Sequence, residues 1–301
     1  MKRVLLTIAI ALLAATSAHA GDAATKKTIA YVQKLQTSTG GFVSMMAPNI
    51  RVQPTLKATS SAVRALHYLG GDFLDKAACI KFVESCHDLE SGGFRDTPSG
   101  KPDVFTTAVG IMAVTELKMP TGKYAKGTIK YLSDNAKGFD DIRIAIAGLE
   151  RLSAKSPKND DWLNEVVKLQ NPDGTYGKGP GLARATGGSI VTFLRLGGKL
   201  PIGRGGMADR EFILKLLNDG QRQNGGYGKD DPIASDLETT YRVMRCFVML
   251  KSKPGNIEGV RSFVAKCRNE DGGYGLAPAQ ASSISGTYFA SIILYWLKET
   301  P

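Results

Sequence analysis

Residues 82–108 read FVESCHDLESGGFRDTPSGKPDVFTTA, and this stretch decides the fold. An apolar, helix-like run from Phe82 to Cys86 stops at the turn Gly92-Gly93-Phe94. A loop follows, and Thr106-Thr107 leads into a second apolar run from Ala108 to Leu117. Gly40-Gly41-Phe42, Gly174-Thr175-Tyr176, Gly225-Gly226-Tyr227 and Gly272-Gly273-Tyr274 are further copies of the turn, and Gly138-Phe139 is a weaker one. The steps between successive aromatics are 52, 45, 37, 51 and 47 residues. A period of that size is the signature of a repeat architecture. One repeat cannot bury its own apolar face, so function belongs where the repeats jointly enclose something.

Each copy reads as a helical hairpin. The first helix has apolar residues at helical spacing, as in Tyr31/Leu35, Phe82/Cys86 and Phe263/Cys267, and ends at the turn. The glycines suit the positive φ of a helix terminus. The second helix follows a hydroxyl pair or its remnant: Thr59-Ser60-Ser61, Thr106-Thr107, Thr239-Thr240 or Ser285-Gly286-Thr287. These hydroxyls can cap the first turn. Phe94 to Thr107, Tyr227 to Thr240 and Tyr274 to Thr287 are each 13 residues apart. The second helices are the more apolar and the richer in Gly and Ala, which places them inside. Six such hairpins can curl into an open superhelix or close into a ring; from the count of six the expectation is closure, an all-α toroid or α6-α6 barrel of six hairpins.

Around that core the chain is simple. Lys2 and Arg3, an apolar run from Val4 to Ala15, and Ala18-His19-Ala20 form the pattern of a cleaved export signal over residues 1–20. Residues 21–301 then form one toroid domain, periplasmic or secreted, with no transmembrane segment in the mature chain. The formal net charge of +11 includes no dense Lys/Arg block and no nucleic-acid motif, so nucleic acid is not expected as a partner. Of the four cysteines, Cys86 and Cys267 occupy the same repeat position. Cys79 and Cys86 lie two turns apart on one predicted helix, about 10 Å by helix rise, too far for a disulfide. Buried thiols are expected.

The glycine–aromatic turn after Phe82-Val-x-x-Cys86, with Asp103-Val-Phe-Thr-Thr107 beyond it, resembles the prenyltransferase/squalene-oxidase repeat family. Within that family it is most similar to the β subunits of protein prenyltransferases, of the Rab geranylgeranyl type. The resemblance spans about residues 26 to 298. It implies an α/α toroid around an apolar cavity that takes an isoprenoid chain, with a zinc ion held partly by the histidine of a D-x-x-H-T motif. Here Thr106 and Thr239 stand at that histidine in Asp103–Thr107 and Asp236–Thr240, and a neutral threonine is a poor zinc ligand. The D-x-C-Y ligand pair has no counterpart, and Thr186 stands where a diphosphate-binding histidine precedes Gly187-Gly188. No cofactor is therefore expected, although the family implies zinc. The D-x-D-D acid of the terpene cyclases also has no match at Asp140-Asp141 or Asp230-Asp231.

The reading that follows is a non-catalytic or divergent toroid that binds an apolar, isoprenoid-like ligand or a protein partner. Candidate cavity residues sit at the starts of the inner helices: Asp103, Thr106, Thr107, Arg184, Thr186, Asp236, Thr239, Tyr241, Arg242 and Tyr288. Arg184 and Arg242 suit an anionic head group. The sequence names no catalytic residue. Alternatives are an active prenyltransferase- or terpene-cyclase-like enzyme, or a glycan-acting toroid in which Asp103 and Asp236 pair across one mouth.

Overall fold

The computed structural model describes residues 23–47, 52–200 and 209–299; the segment read as an export signal, residues 1–20, lies outside them. The described residues form twelve α-helices and no strand. The helices are α1 (residues 23–34), α2 (Leu56–Leu69), α3 (Lys76–Ser85), α4 (Val104–Glu116), α5 (Gly122–Asn135), α6 (Gly138–Arg151), α7 (Asn159–Lys168), α8 (Leu182–Arg195), α9 (Arg210–Asp219), α10 (Leu237–Met249), α11 (Ile257–Lys266) and α12 (Ile284–Glu299). The even-numbered helices form an inner ring. Each packs on the next, and α12 packs on α2, so the ring is closed. None of the described helices is long and apolar enough to cross a membrane.

The turns link neighbouring hairpins. Gly40, Gly92, Gly225 and Gly272 all have positive φ. At Gly225 (φ +91°) an added Cβ would lie 2.0 Å from the carbonyl oxygen of Gly259 on α11. At Gly272 (φ +92°) it would lie 2.6 Å from the carbonyl oxygen of Lys27 on α1, so the last turn closes the outer layer onto the first helix. Only glycine meets both demands, a left-handed backbone and backbone-to-backbone approach.

The hydroxyls act differently from the sequence expectation. The inner helices start well before the residues that follow the hydroxyls, α4 at Val104, α10 at Leu237 and α2 at Leu56, and Thr55, Asp103 and Asp236 are the N-caps of α2, α4 and α10. The second hydroxyl instead reaches back to the turn. The backbone N–H of the buried aromatic donates to a threonine Oγ1 in five repeats: Phe42 to Thr59 (2.9 Å), Phe94 to Thr107 (2.9 Å), Tyr176 to Thr186 (3.0 Å), Tyr227 to Thr240 (3.1 Å) and Tyr274 to Thr287 (3.1 Å). A buried N–H without such a partner would cost about 1–3 kcal/mol; the bond is kept at a spacing of 13 residues in three repeats, 17 at Phe42 and 10 at Tyr176. The third hairpin lacks the device because Gly138 itself opens α6 with no intervening loop. All four cysteines are buried thiols, and burial pushes each up to about 12.

Candidate functional site

The threonine anchors set the register of everything inside the ring. Side chains two residues before the anchor, and two, five and nine after it, form one helical stripe. On α2, anchored at Thr59, these are Lys57, Ser61, Arg64 and Tyr68, and all four line a central cavity of about 380 Å³. The first three stripe positions give Phe105, Val109 and Met112 on α4, Glu238, Arg242 and Arg245 on α10, and Ser285, Phe289 and Ile292 on α12. On α8, anchored at Thr186, the last three positions give Gly188, Val191 and Arg195, while Arg184, at the first stripe position, is not in the wall. Helix α6, without an anchor, supplies Arg143, Ile144, Ala147, Glu150 and Arg151.

The cavity has two kinds of wall. Val109, Met112, Ile144 and Ala147 of α4 and α6 form a separate apolar cluster. Guanidinium groups line the cavity beside them: Arg143 and Arg151 share α6 with Ile144 and Ala147, and Arg64 Nη1 lies 3.6 Å from Met112 Sδ. Lys57 and six arginines line the cavity against only two carboxylates, Glu150 and Glu238. Glu150 Oε2 is shared by Arg195 (2.9 Å) and Arg245 (3.2 Å). Glu238 pairs with Arg242 at 2.5 Å and with Lys229 at 3.7 Å. Burial opposes its ionisation, but Arg242 and Lys229 outweigh burial and hold Glu238 below the usual carboxylate range. Burial, together with a second guanidinium, lowers the pKa of Arg143, Arg184 and Arg195. The Nε atoms of Arg195 and Arg245 are buried without a partner, which is costly for a charged donor. Such a wall favours a bound anion.

Aromatic rings complete the charged side. Tyr241 stacks on Trp296 with centroids 5.5 Å apart and packs against Tyr288 at 5.9 Å. Arg64 Nη1 donates to the Tyr288 hydroxyl at 2.8 Å. Of the residues expected from sequence, Tyr241, Arg242 and Tyr288 are in the cavity wall. The others serve the scaffold. Thr107 and Thr186 anchor turns. Thr106 and Thr239 are fully buried and donate to the capping carboxylates of Asp103 (2.6 Å) and Asp236 (2.8 Å). Arg184 lies outside the wall with a buried, unpartnered Nε. Arg64, Arg143, Glu150, Arg195, Glu238 and Arg245 were not singled out from the sequence, though the fixed offset from each threonine locates most of them.

These residues do not fit the zinc that the resemblance implies. Each carboxylate of Asp103 and Asp236 has one oxygen on a backbone N–H and the other on a threonine hydroxyl. Among the described residues no group of three or more His, Cys, Asp or Glu side chains could hold a metal ion. Nor do Asp103 and Asp236 face one another across the cavity, since neither lines it.

The fold has solved counterparts. Candida albicans protein geranylgeranyltransferase-I, complexed with GGPP, superposes with a TM-score of 0.62 at 12% identity, covering 81% of this chain and 84% of that one. A type II terpene cyclase from Scytonema, in complex with geranylgeranyl dihydroxybenzoate, gives 0.60 at 10% identity, covering 92% and 96%. A protein from Actinoplanes gives 0.54 at 13% identity, covering 92% and 98%. At these identities the likeness is one of fold. Among curated protein sequences nothing matches the chain. The family model described as the prenyltransferase alpha-alpha toroid domain matches residues 62–131 and 121–300. That match spans most of the sequence, and the chain belongs to the prenyltransferase α/α toroid family.

Proposed function

We propose that this chain is an exported, zinc-independent toroid that binds an amphiphilic anion in its central cavity. The carrying observation is the mixed lining of one cavity: the apolar cluster of Val109, Met112, Ile144 and Ala147 beside seven cationic and only two anionic side chains. The apolar tail packs on α4 and α6, and the anionic group lies among Arg64, Arg195 and Arg245. Two solved structures of this fold hold ligands with a geranylgeranyl chain, as GGPP is geranylgeranyl diphosphate, which supports a long apolar tail. Export rests on the charged and apolar pattern of residues 2–20. Native mass spectrometry of the mature chain tests the reading with two probes of equal tail length, decyl phosphate and decyltrimethylammonium. A one-to-one adduct with the phosphate alone is expected. Equal binding of both, or of neither, overturns the reading.

A further inference from the structure

The two end faces of the ring differ in charge. The inner helices run parallel. At their starts, α2, α10 and α12 bond to the loops that lead into their neighbours: Leu56 N–H to the Asp96 carbonyl, Leu237 N–H to Leu276 and Ile284 N–H to Ser44. At their ends, Glu116 of α4 pairs with His67 of α2 and Arg151 of α6. One face therefore carries the glycine–aromatic turns, and the other carries the connections from each inner helix to the next outer one. The described connections of the turn face hold ten carboxylates and seven cations. On the other face, the described residues of the α4–α5, α6–α7, α8–α9 and α10–α11 connections hold six lysines and one carboxylate, Asp209, which caps α9. Asp72 and Asp75 lie apart on the α2–α3 connection, where Asp75 caps α3. Asp160, Asp161 and Glu211 sit in the first turns of α7 and α9, where the helix dipole favours a carboxylate.

Two of the lysines hold positions that suit glycine. Five inner helices end in the same cap, in which an N–H bonds to the carbonyl five residues back: Gly71 to Leu66, Met119 to Val114, Ala154 to Leu149, Gly198 to Phe193 and Ser252 to Phe247. The residue before each donor is left-handed. Two of the five are Gly70 (φ +67°) and Gly197 (φ +92°), the usual choice. The others are Lys118 (φ +59°), Ser153 (φ +52°) and Lys251 (φ +50°), which accept a strain that glycine avoids. Lys118 and Lys251 are exposed. Among the described residues, neither they nor Lys155, Lys199 and Lys253 have a carboxylate within 4.0 Å. Nor are they needed for the last carbonyls of α8 and α10, since Asn159 Nδ2 donates to Leu196 and Arg210 to Leu250.

We propose that this lysine-bearing face is a docking surface for an anionic lipid bilayer. The lysines come from four successive connections, so they spread along an arc of the ring's end rather than in a single track. An arc of charges on a flat end matches a charged plane. Two exposed apolar side chains share the face: Leu74 on the α2–α3 connection (66% exposed) and Phe212 in the first turn of α9 (41%). Basic and apolar side chains on one surface are the chemistry of interfacial binding, and lysines near a membrane are drawn to anionic lipid. A soluble polyanion would use the lysines but not Leu74 or Phe212. The acidic turn face points away from the bilayer. Neither the cavity nor its ligand enters this inference.

The test is co-sedimentation of the mature chain with vesicles of phosphatidylcholine, alone or mixed with phosphatidylglycerol. Binding is expected only to the anionic vesicles and weakens as salt rises. Lys118→Gly/Lys251→Gly relaxes both caps, so the Tm should hold or rise, while partitioning falls about tenfold or more, the scale of two lysines at a charged membrane. Lys101→Gln/Lys178→Gln removes the same net charge from the turn face and should leave partitioning unchanged. Equal binding to both vesicle types, or to neither, overturns the proposal, as does an equal loss in the two double variants. A lower Tm with undiminished vesicle binding in Lys118→Gly/Lys251→Gly assigns those lysines to the helix ends alone and also overturns it. So does binding to dextran sulfate as tight as to the anionic vesicles, which would make the partner a soluble polyanion. No cavity ligand is present in any arm, so the outcome is separate from that of the decyl phosphate experiment.

Discussion

The turn and the cavity stripe lie on the same helices, two to nine residues apart, yet they follow opposite rules. Turns repeat their chemistry: glycine against the next outer helix, aromatic N–H on a threonine hydroxyl. The stripe does not repeat. At the position five after the anchor it holds Arg64, Met112, Val191, Arg245 and Ile292 in turn. Each turn meets one neighbour in one geometry, so one solution serves every copy. The stripes meet in one shared space, where what matters is their sum. Repetition therefore marks scaffold in this molecule, and departure from it marks the cavity wall.

The largest expected effect breaks the turn. Gly225→Ala places a Cβ against the Gly259 carbonyl at a positive φ, and left-handed strain alone costs about 1–3 kcal/mol. Calorimetric unfolding should show a Tm far below wild type, or no folded protein. Thr240→Val keeps the shape but strands the buried Tyr227 N–H. A loss of about 1–3 kcal/mol is expected in urea unfolding, with decyl phosphate binding retained. A variant that lost binding while keeping stability would erase the distinction between anchor and stripe.

In the stripe the order reverses. Arg245→Gln removes a guanidinium that shares its counter-ion, so stability should change little. Decyl phosphate affinity should fall about tenfold or more, the scale of one charge-assisted hydrogen bond. The smallest effect concerns His87, packed between Phe94 (4.8 Å) and Tyr124 (5.0 Å). Burial, helped by Lys123, holds its imidazole below 6.5. The unfolded chain then binds the proton first, so stability is lost as pH falls below about 6.5. Urea midpoints at pH 7.5 and 5.5 should differ by less in His87→Phe than in wild type.

Much of this was legible in the sequence. The Gly-Gly-aromatic copies marked the hairpins, because sharp turns and close backbone approach leave few residue choices, and the more apolar, Gly- and Ala-rich second helices marked the inner layer. The same regularity also pointed to positions that lie outside the cavity wall. Asp103, Thr106, Asp236 and Thr239 look like altered catalytic positions, but they are caps whose carboxylates and hydroxyls satisfy one another. Arg64, Arg195 and Glu150 were missed because they lie in the middle or last turns of helices that read as apolar. Their convergence depends on ring closure, which brings α2, α6, α8 and α10 around one axis. Counting from each threonine would have revealed the stripe once its bond to the aromatic N–H was known.

The central claim, that the cavity is an anion site built by the stripe and independent of the anchors, is tested most directly by calorimetric titration of decyl phosphate into wild type, Arg245→Gln and Thr240→Val. The account predicts one site in wild type, a loss of about tenfold or more in Arg245→Gln, and wild-type affinity in Thr240→Val below its unfolding temperature. Undiminished binding in Arg245→Gln would contradict it.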